Sequence, residues 1–467
     1  MMFRLTFLFC IVFFLGCMTD DDTVVPDDQP TAQLPDLNQL QIWTEGFCAT
    51  PHRIIGTQEW LDGVNYVEQQ FAEMGFENII RDEFPINVWE ADDWSLTVNG
   101  QNFPCYYEFG TGFTDLSGVS GELTYIGDDL NPNEPVANKI VLVDMPFGLT
   151  NGEVNPFLRP NHLGNPEDEL ISLLDVYWQI KDRFAKGVVF ILSNSLTCNP
   201  EYTYPRSNDD EWPIPSLFVG KDVGEELKAL ADSDNEANIT LTGSRTPGTG
   251  INIWVELAGS SEDKYIISTH GDAPFKGVIE DGTGVVSVLA QASYWKDVPE
   301  ADRPNDMIFL VTASHFYNSD GGSRLFRQQH PDIMDDTKLL MVLEHLGAKQ
   351  YTFSNCELVT EEEPMDWLIY HSEGEVETEL NNLENSYLPV DDIRTVATNT
   401  FPLSAALGFV FDDADNPLPK PENYVSVLTA PWYLITSEDT FDKVDYQELL
   451  EANEAVLEMT NNYMDEL

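Results

Sequence analysis

The sequence predicts an α/β protein: a mostly parallel central sheet flanked by helices, with an inserted β-rich segment. Three observations carry this. From Ile251 onward apolar runs (INIWVELAG, KYIISTH, MIFLVTA, KLLMVLEH) alternate with amphipathic helical runs. Near-continuous apolar strands separated by helices belong to parallel sheets covered on both faces. From about Cys105 to Pro247 the texture changes to short β-type runs broken by Asn, Pro and Asp clusters. At 467 residues, with 42% hydrophobic content and ten tryptophans, the chain can build more than one sizeable core.

Taken in order, residues 1–16, MMFRLTFLFCIVFFLG, carry Arg4 and then an apolar run too short to span a bilayer. They read as a signal peptide. Gly16 before Cys17 resembles the lipobox of bacterial lipoproteins, although Phe14 stands where a smaller aliphatic residue is usual. The resemblance implies cleavage before Cys17, lipidation of its thiol, and an exported lipoprotein anchored at the cell envelope and facing outward. An ordinary signal peptide with an incidental cysteine is the alternative. Residues 17–36 are acidic and proline-bearing and read as a solvated tether.

A helix follows Thr57, which can cap it, with Trp60, Leu61, Val64, Val67 and Phe71 on one face and Gly75 at its stop. ENIIRDEF and WSLTVNG are the next strands. Within 105–247, GELTYIG, KIVLVDM, GVVFILSN and IPSLFVG are strands, and a helix covers Asp222 to Leu230. Gly243 to Gly250, GSRTPGTG, reads as a turn-rich exit. In the last part, GVVSVLAQASYW is a helix with Val285, Val288, Leu289, Ala292 and Trp295 on one face. SRLFRQQH is another, and the last runs from Asp445 to Asp465.

There are 81 acidic residues against 23 basic ones, a net charge of −58 spread along the chain. That field repels nucleic acid and anionic membrane surfaces, so no nucleic-acid partner is expected. No EF-hand loop is present. With Cys10 in the signal and Cys17 assigned to lipid, Cys48, Cys105, Cys198 and Cys356 remain. They allow two disulfides in three connectivities. No CxxC pair occurs, which argues against a cysteine zinc site.

Three apolar strands run into residues that can bind a metal: His270, then Ser314-His315, then Glu344-His345. Glu280 and Asp281 stand in the glycine-bearing turn after the first. Open α/β sheets bind ligands outside the carboxyl ends of their strands. Imidazoles and carboxylates crowded there need compensation, and Zn²⁺ accepts His, Asp and Glu ligands. Asp272 is placed to orient His270. In the competing reading each residue hydrogen-bonds separately to a loop. His345 follows Glu344 on a strand, so alternation points it to the opposite face, as packing. His52, His162, His330 and His371 read as surface or structural, with His52 and Arg53 bracing the domain.

These segments, in this order, resemble the M28 family of zinc exopeptidases over roughly residues 37 to 460. TPHRIIGTQEWLDGVNYVEQQFAEMGF is similar to the family's opening and first helix. STHGD resembles its His-x-Asp motif, GVIEDGTGV its acidic turn, and FLVTASHFYNSDGGSRLF its strand, Glu-Glu pair and Gly-Ser helix start. VLEHLG resembles its Asn-x-Asp-x-x-Gly segment, and TSEDTFDKVD its terminal Thr-x-x-Asp-Thr run. The middle looks like the protease-associated (PA) domain inserted in many members. The resemblance implies an exopeptidase-like domain of residues 37–104 and 248–467 and a PA-like insert of residues 105–247.

It also implies site residues. His270 matches a zinc ligand and Asp272 its orienting partner. The bridging carboxylate falls on Glu280 or Asp281, and another ligand on Glu344. The second metal position departs from the pattern. The Glu-Glu pair is replaced near Ser314-His315, and the final histidine falls on or near Ile435. His315 is then a candidate base or substitute ligand, with a loop histidine as the bland reading. Two functions follow. One is a metal-dependent hydrolase of a peptide or related amide, with one Zn²⁺ rather than two. The other is an inactive relative that binds peptide or glycan. A calcium-stabilised adhesion module rests on acidity alone.

Overall fold

The computed structural model describes residues 32–465 except 128–133, 146–148, 151–152, 155–172, 193–197, 204–211, 232, 234, 314, 317–320, 355, 366, 373–375, 377–379, 381–403, 411–416 and 432. The signal segment, Cys17, His162 and Ser314 therefore lie outside the described residues.

Two helices open the fold. The first, α1 (Leu37–Phe47), was not foreseen from the sequence; the Asp36 side chain caps it by accepting the Gln39 N–H. The second, α2 (Gln58–Glu73), is capped by Thr57, which accepts the Trp60 N–H, and buries Trp60, Val64, Val67 and Phe71. Leu61 is only half-buried. Gly75 closes it at φ 84°.

The strands in chain order are β1 (Ile79–Val98), β2 (Gln101–Phe103), β3 (Tyr106–Tyr107), β4 (Val119–Tyr125), β5 (Ile140–Asp144), β6 (Leu149–Thr150), β7 (Glu153–Val154), β8 (Gly187–Ile191), β9 (Ser216–Val219) and β10 (Glu236–Leu257). There follow β11 (Lys264–His270), β12 (Asp306–Thr312), β13 (Thr337–Glu344), β14 (Lys349–Ser354), β15 (Glu357–Pro364), β16 (Leu368–His371) and β17 (Asn423–Leu428). Thirteen of them form one sheet in the order β16-β17-β13-β11-β12-β10-β4-β5-β8-β9-β3, with β1 alongside β10 and β2 alongside β1. β6 with β7 and β14 with β15 make separate hairpins.

Two parallel blocks meet on a shared spine. β12, β11, β13 and β17 are parallel, and so are β4, β5, β8 and β9. The spine is β10, antiparallel to β12 at one end and to β4 at the other. Strand β1 runs antiparallel along almost its whole length.

This spine corrects two sequence expectations. ENIIRDEF and WSLTVNG are one 20-residue strand, bulged between Ala91 and Asp93. GSRTPGTG is no turn: Ser244 pairs with Glu90, Thr246 with Val88 and Gly250 with Phe84. The glycines are there because side chains from β1 lie over the backbone. A Cβ at Gly248 would come 2.4 Å from Val88 Cγ2, and one at Gly250 2.3 Å from Phe84 Cε2.

Helices α3 (Leu173–Asp182) and α4 (Lys221–Ala231) belong to the 105–247 segment. Helices α5 (Thr283–Asp297) and α6 (Gly321–Gln329) and the terminal α7 (Tyr446–Asp465) belong to the block that ends at β17. The core beneath α2, α5 and α7 joins Trp60, Phe71, Val288, Trp295, Leu343 and Val456. The segment 105–247 has buried clusters of its own, one of which takes in Phe316 and Ile435. A disulfide joins Cys198 to Cys356, which settles one pair, while Cys48 and Cys105 are free. Among the described residues no helix is long and apolar enough to cross a membrane.

Candidate metal centre

Parallel pairing sets the ends of β11, β12, β13 and β17 side by side. His270 pairs with Thr312, and Glu344 with Leu428. The loop after His270 is braced from below by Arg53, buried and bonded to three carbonyls: Gly271 (3.2 Å), Lys276 (2.9 Å) and Gly277 (2.8 Å). His52 Nδ1 accepts the Phe275 N–H at 3.2 Å. The bracing role expected of this pair is thus its geometry. A single π-type turn, Val278–Gly282, leads into α5, with a cis peptide between Glu280 and Asp281. Gly284 is required there, because a Cβ would fall 2.3 Å from the Asp281 carboxylate. Asp439 clamps the turn from the far end of the chain. Its two oxygens accept the N–H groups of Ile279 and Glu280, each at 2.9 Å.

Two imidazoles converge on Glu280. His270 Nε2 lies 3.3 Å from Oε1, and His345 Nε2 lies 2.9 Å from Oε2. Each ring is pinned through its other nitrogen. His270 Nδ1 is 3.0 Å from the Asp272 carbonyl oxygen, and His345 Nδ1 is 2.8 Å from that of Thr429. A carbonyl only accepts, so Nδ1 carries the proton in both rings and a neutral ring presents its Nε2 lone pair to Glu280. His270 Nε2, His345 Nε2 and Glu280 Oε2 are buried and have no aligned hydrogen-bond partner among the described residues. Their ligand atoms lie within 4.8 Å of one another. Two imidazole nitrogens and a carboxylate are a donor set that zinc accepts, so the residues present fit one metal ion.

The electrostatics agree with a crowded site. Burial opposes protonation of His270, but Asp272 and Glu280 outweigh it and hold its pKa well above the usual histidine value. His345 is likewise raised, against burial, to about 9 by Glu280. Glu280 is held far below the carboxylate range, against burial, by His345 and His270. Burial pushes Asp281 up, Glu344 up to about 7 and Asp439 up to about 7. Any cation entering here displaces protons from the two imidazoles.

The sequence-derived candidates divide. His270 and Glu280 come together. Asp281 stands behind them: it accepts from the Thr269 hydroxyl and takes the His345 N–H at 2.9 Å. Glu344 is buried but accepts the Ala405 N–H at 2.7 Å and is outside the convergent set. His345 takes its place, contrary to the expectation from alternation. β13 ends at Glu344, and His345 has φ 59°, which breaks the strand period and swings its ring to Glu280. Asp272 meets His270 through its carbonyl, with its carboxylate 3.7 Å from Nδ1. That carboxylate accepts the N–H groups of His315 (3.0 Å) and Phe316 (2.9 Å). It lays the His315 ring flat against His270, centroids 4.1 Å apart and planes 19° apart. Burial and the neighbouring His270 lower His315 to about 3, and its Nδ1 has no partner among the described residues. Ile435 is buried with Phe316 in an apolar cluster. Asp439 and Thr429 were missed as site residues. The terminal TSEDTFDKVD was the signal for the first, and nothing in the sequence marked the second.

A zinc-exopeptidase-like α/β architecture is thereby defined, with a candidate ion site at the carboxyl edge of its parallel strands. No family model and no curated protein matches the sequence. Solved structures do. The chain is similar to a Peptidase M28 precursor from Shewanella amazonensis (TM-score 0.66, 16% identity, covering 92% of this chain and 95% of that one). It is similar to BSAP, a zinc aminopeptidase from Bacillus subtilis (0.65, 14%, 92% and 96%). It is also similar to an aminopeptidase from Aneurinibacillus sp. strain AM-1 (0.61, 18%, 91% and 93%). At these identities the likeness establishes the fold, that of the M28-type zinc aminopeptidases, over nearly the full length of both chains.

Proposed function

We propose that the chain is an M28-type metallohydrolase that cleaves a peptide or related amide, using one zinc ion held by His270, Glu280 and His345. The observation that carries this reading is the convergence of three buried ligand atoms, two imidazole nitrogens and a Glu280 oxygen, at the strand ends. Zinc bound there would polarise a carbonyl and lower the pKa of a coordinated water. The chain's own residues do the rest. The Asp272 and Thr429 carbonyls fix both ring tautomers, and Asp281 holds the His345 backbone. His315 stays neutral at pH 7 and can accept a proton at Nδ1. Its low pKa makes it a weak base, so its contribution falls at the low end of the roughly 10²–10⁴-fold that general bases supply.

The second reading is a relative that binds peptide or glycan without cleaving it. It is favoured by Ile435, buried in apolar packing where the family resemblance places a histidine. We further propose that residues 105–247 are a PA-like insert, and that residues 1–17 export the chain and anchor it through lipid on Cys17.

Metal analysis separates the two readings. The purified protein is expected to carry one zinc per chain, removed by chelator and lost in both His270→Ala and His345→Ala. It is expected to hydrolyse an aminoacyl-anilide panel only when loaded. No bound metal, with no thermal shift on adding Zn²⁺, would end the hydrolase reading.

A further inference from the structure

A cavity of about 260 Å³ lies where β1 and β3 meet the loops of the candidate metal centre. Its aromatic lining includes Trp89 and Trp94 on β1, Tyr106 and Tyr107 on β3, Phe275 from the loop after His270, and Phe316 beside His315. The rings contact one another: Trp94–Tyr107 at 4.7 Å, Tyr106–Phe275 at 5.2 Å and Trp89–Tyr107 at 5.3 Å between centroids. Trp89, Tyr106 and Phe275 are buried, whereas Glu90 is exposed and Glu59 half-exposed. The floor is thus aromatic and the rim acidic. Among the described residues neither Glu59 nor Glu90 forms an ion pair, and the lining contains no lysine or arginine.

The donor inventory narrows the ligand. Trp89 Nε1 donates to the Thr111 carbonyl at 2.9 Å, and Trp94 Nε1 to that of Cys105 at 3.2 Å. Tyr106 donates its hydroxyl to Tyr107. The indole N–H groups are therefore already used, and one face of Trp89 is covered by Phe113, stacked at 4.8 Å between centroids. Thr203 Oγ1, in a residue 4% exposed, is buried in the lining without a partner among the described residues. An anion would find few donors here and would face a chain of net charge −58. A cation finds two carboxylates and ring faces. His52, the remaining titratable imidazole of the lining, is held below the usual histidine value by burial and adds no opposing charge.

We propose that this pocket binds an amphiphilic organic cation, its apolar body on the aromatic floor and its ammonium or guanidinium at Glu59 and Glu90. Phe316 stands next to His315, so the occupant sits beside the candidate metal centre. The inference goes beyond the hydrolase reading and needs no metal. A peptide's terminal ammonium and a lysine or arginine side chain share this chemistry.

The test is calorimetric titration of the full chain after chelator treatment, so that failure of the metal reading leaves it untouched. The probes are phenylalanine amide (terminal ammonium), N-acetyl-lysine amide (side-chain ammonium) and N-acetyl-phenylalanine amide (the same aromatic body without charge). One cation is expected to bind about tenfold or more tighter than the neutral probe. That preference is expected to vanish in a folded E59Q/E90Q variant, its folding checked by thermal melt. Whichever cation wins identifies the source. Equal binding of charged and neutral probes, no binding of either cation, or a preference that survives E59Q/E90Q would overturn the proposal.

Discussion

His345 shows how a single dihedral reassigns a residue. On an unbroken strand its ring would point away from that of its neighbour Glu344. At φ 59° it leaves the ladder and faces Glu280 instead. Such a conformation is uncommon for a non-glycine residue, and it is held in place from two sides. Asp281 takes the His345 N–H, and Thr429 donates its hydroxyl to the His345 carbonyl at 2.6 Å. Asp439 does the corresponding work for Glu280 by fixing the π-type turn. Asp439→Asn replaces one of its two acceptor oxygens with an amide nitrogen facing an N–H donor. Removing such a supporting contact from a metal site typically costs 10–100-fold in affinity, and about that loss is expected here. Competition with a fluorescent chelator measures it, and unchanged affinity would mean that the turn holds itself.

At the scale of elements, the long antiparallel ribbon of β1 and β10 ties the two parallel blocks together. It joins the parallel block that carries His270, His345 and Glu280 to the block built from residues 105–247. Its glycines permit the side chains of one strand to lie across the backbone of the other. Gly248→Val would drive a side chain into Val88, and overpacking of this kind costs about 1–3 kcal/mol. Denaturant unfolding should show that loss. A neutral result would mean that the paired strands bend apart without penalty. This is also where sequence reading failed: glycine, proline, serine and threonine in GSRTPGTG are turn formers locally. Pairing with a 20-residue partner overrides that preference. Helix α2 was legible because its cap, apolar face and stop are all local.

For the whole molecule, the buried ionisable groups pull stability in opposite directions as pH changes. Burial raises Glu344 and Asp439 to about 7 and Glu448 to about 8. The folded state therefore holds more protons than the unfolded chain above the ordinary carboxylate range, and stability falls as pH rises through these values. His345, raised to about 9, acts in the same direction: its stabilisation is complete below 6.5 and is lost on passing 9. His315, lowered to about 3, acts oppositely, so its contribution to stability rises with pH between 3 and 6.5. Between the ordinary carboxylate range and 6.5 the three raised carboxylates outweigh the one lowered imidazole, so the metal-free protein is expected to melt highest at about pH 4–5 and lower at pH 9. Fluorimetric melts in chelator test this, and a melting temperature that climbs steadily to pH 9 would contradict it. Loading zinc should flatten the alkaline limb, because the metal replaces the protons on His270 and His345.

By itself the sequence determined the α/β alternation, the helices with local caps, the strand ends that carry His270 and Glu344, and the turn that carries Glu280. All of these are written in periodicity and in residues near one another in the chain. Tertiary structure alone decided that His345 and not Glu344 meets Glu280, that Asp439 clamps a turn 160 residues earlier, and that Cys198 pairs with Cys356. It also decided that a supposed turn is the middle of the longest strand. The physical reason is that ring orientation, burial and β-pairing depend on partners far away in sequence, whereas a pattern reports only a residue's neighbours.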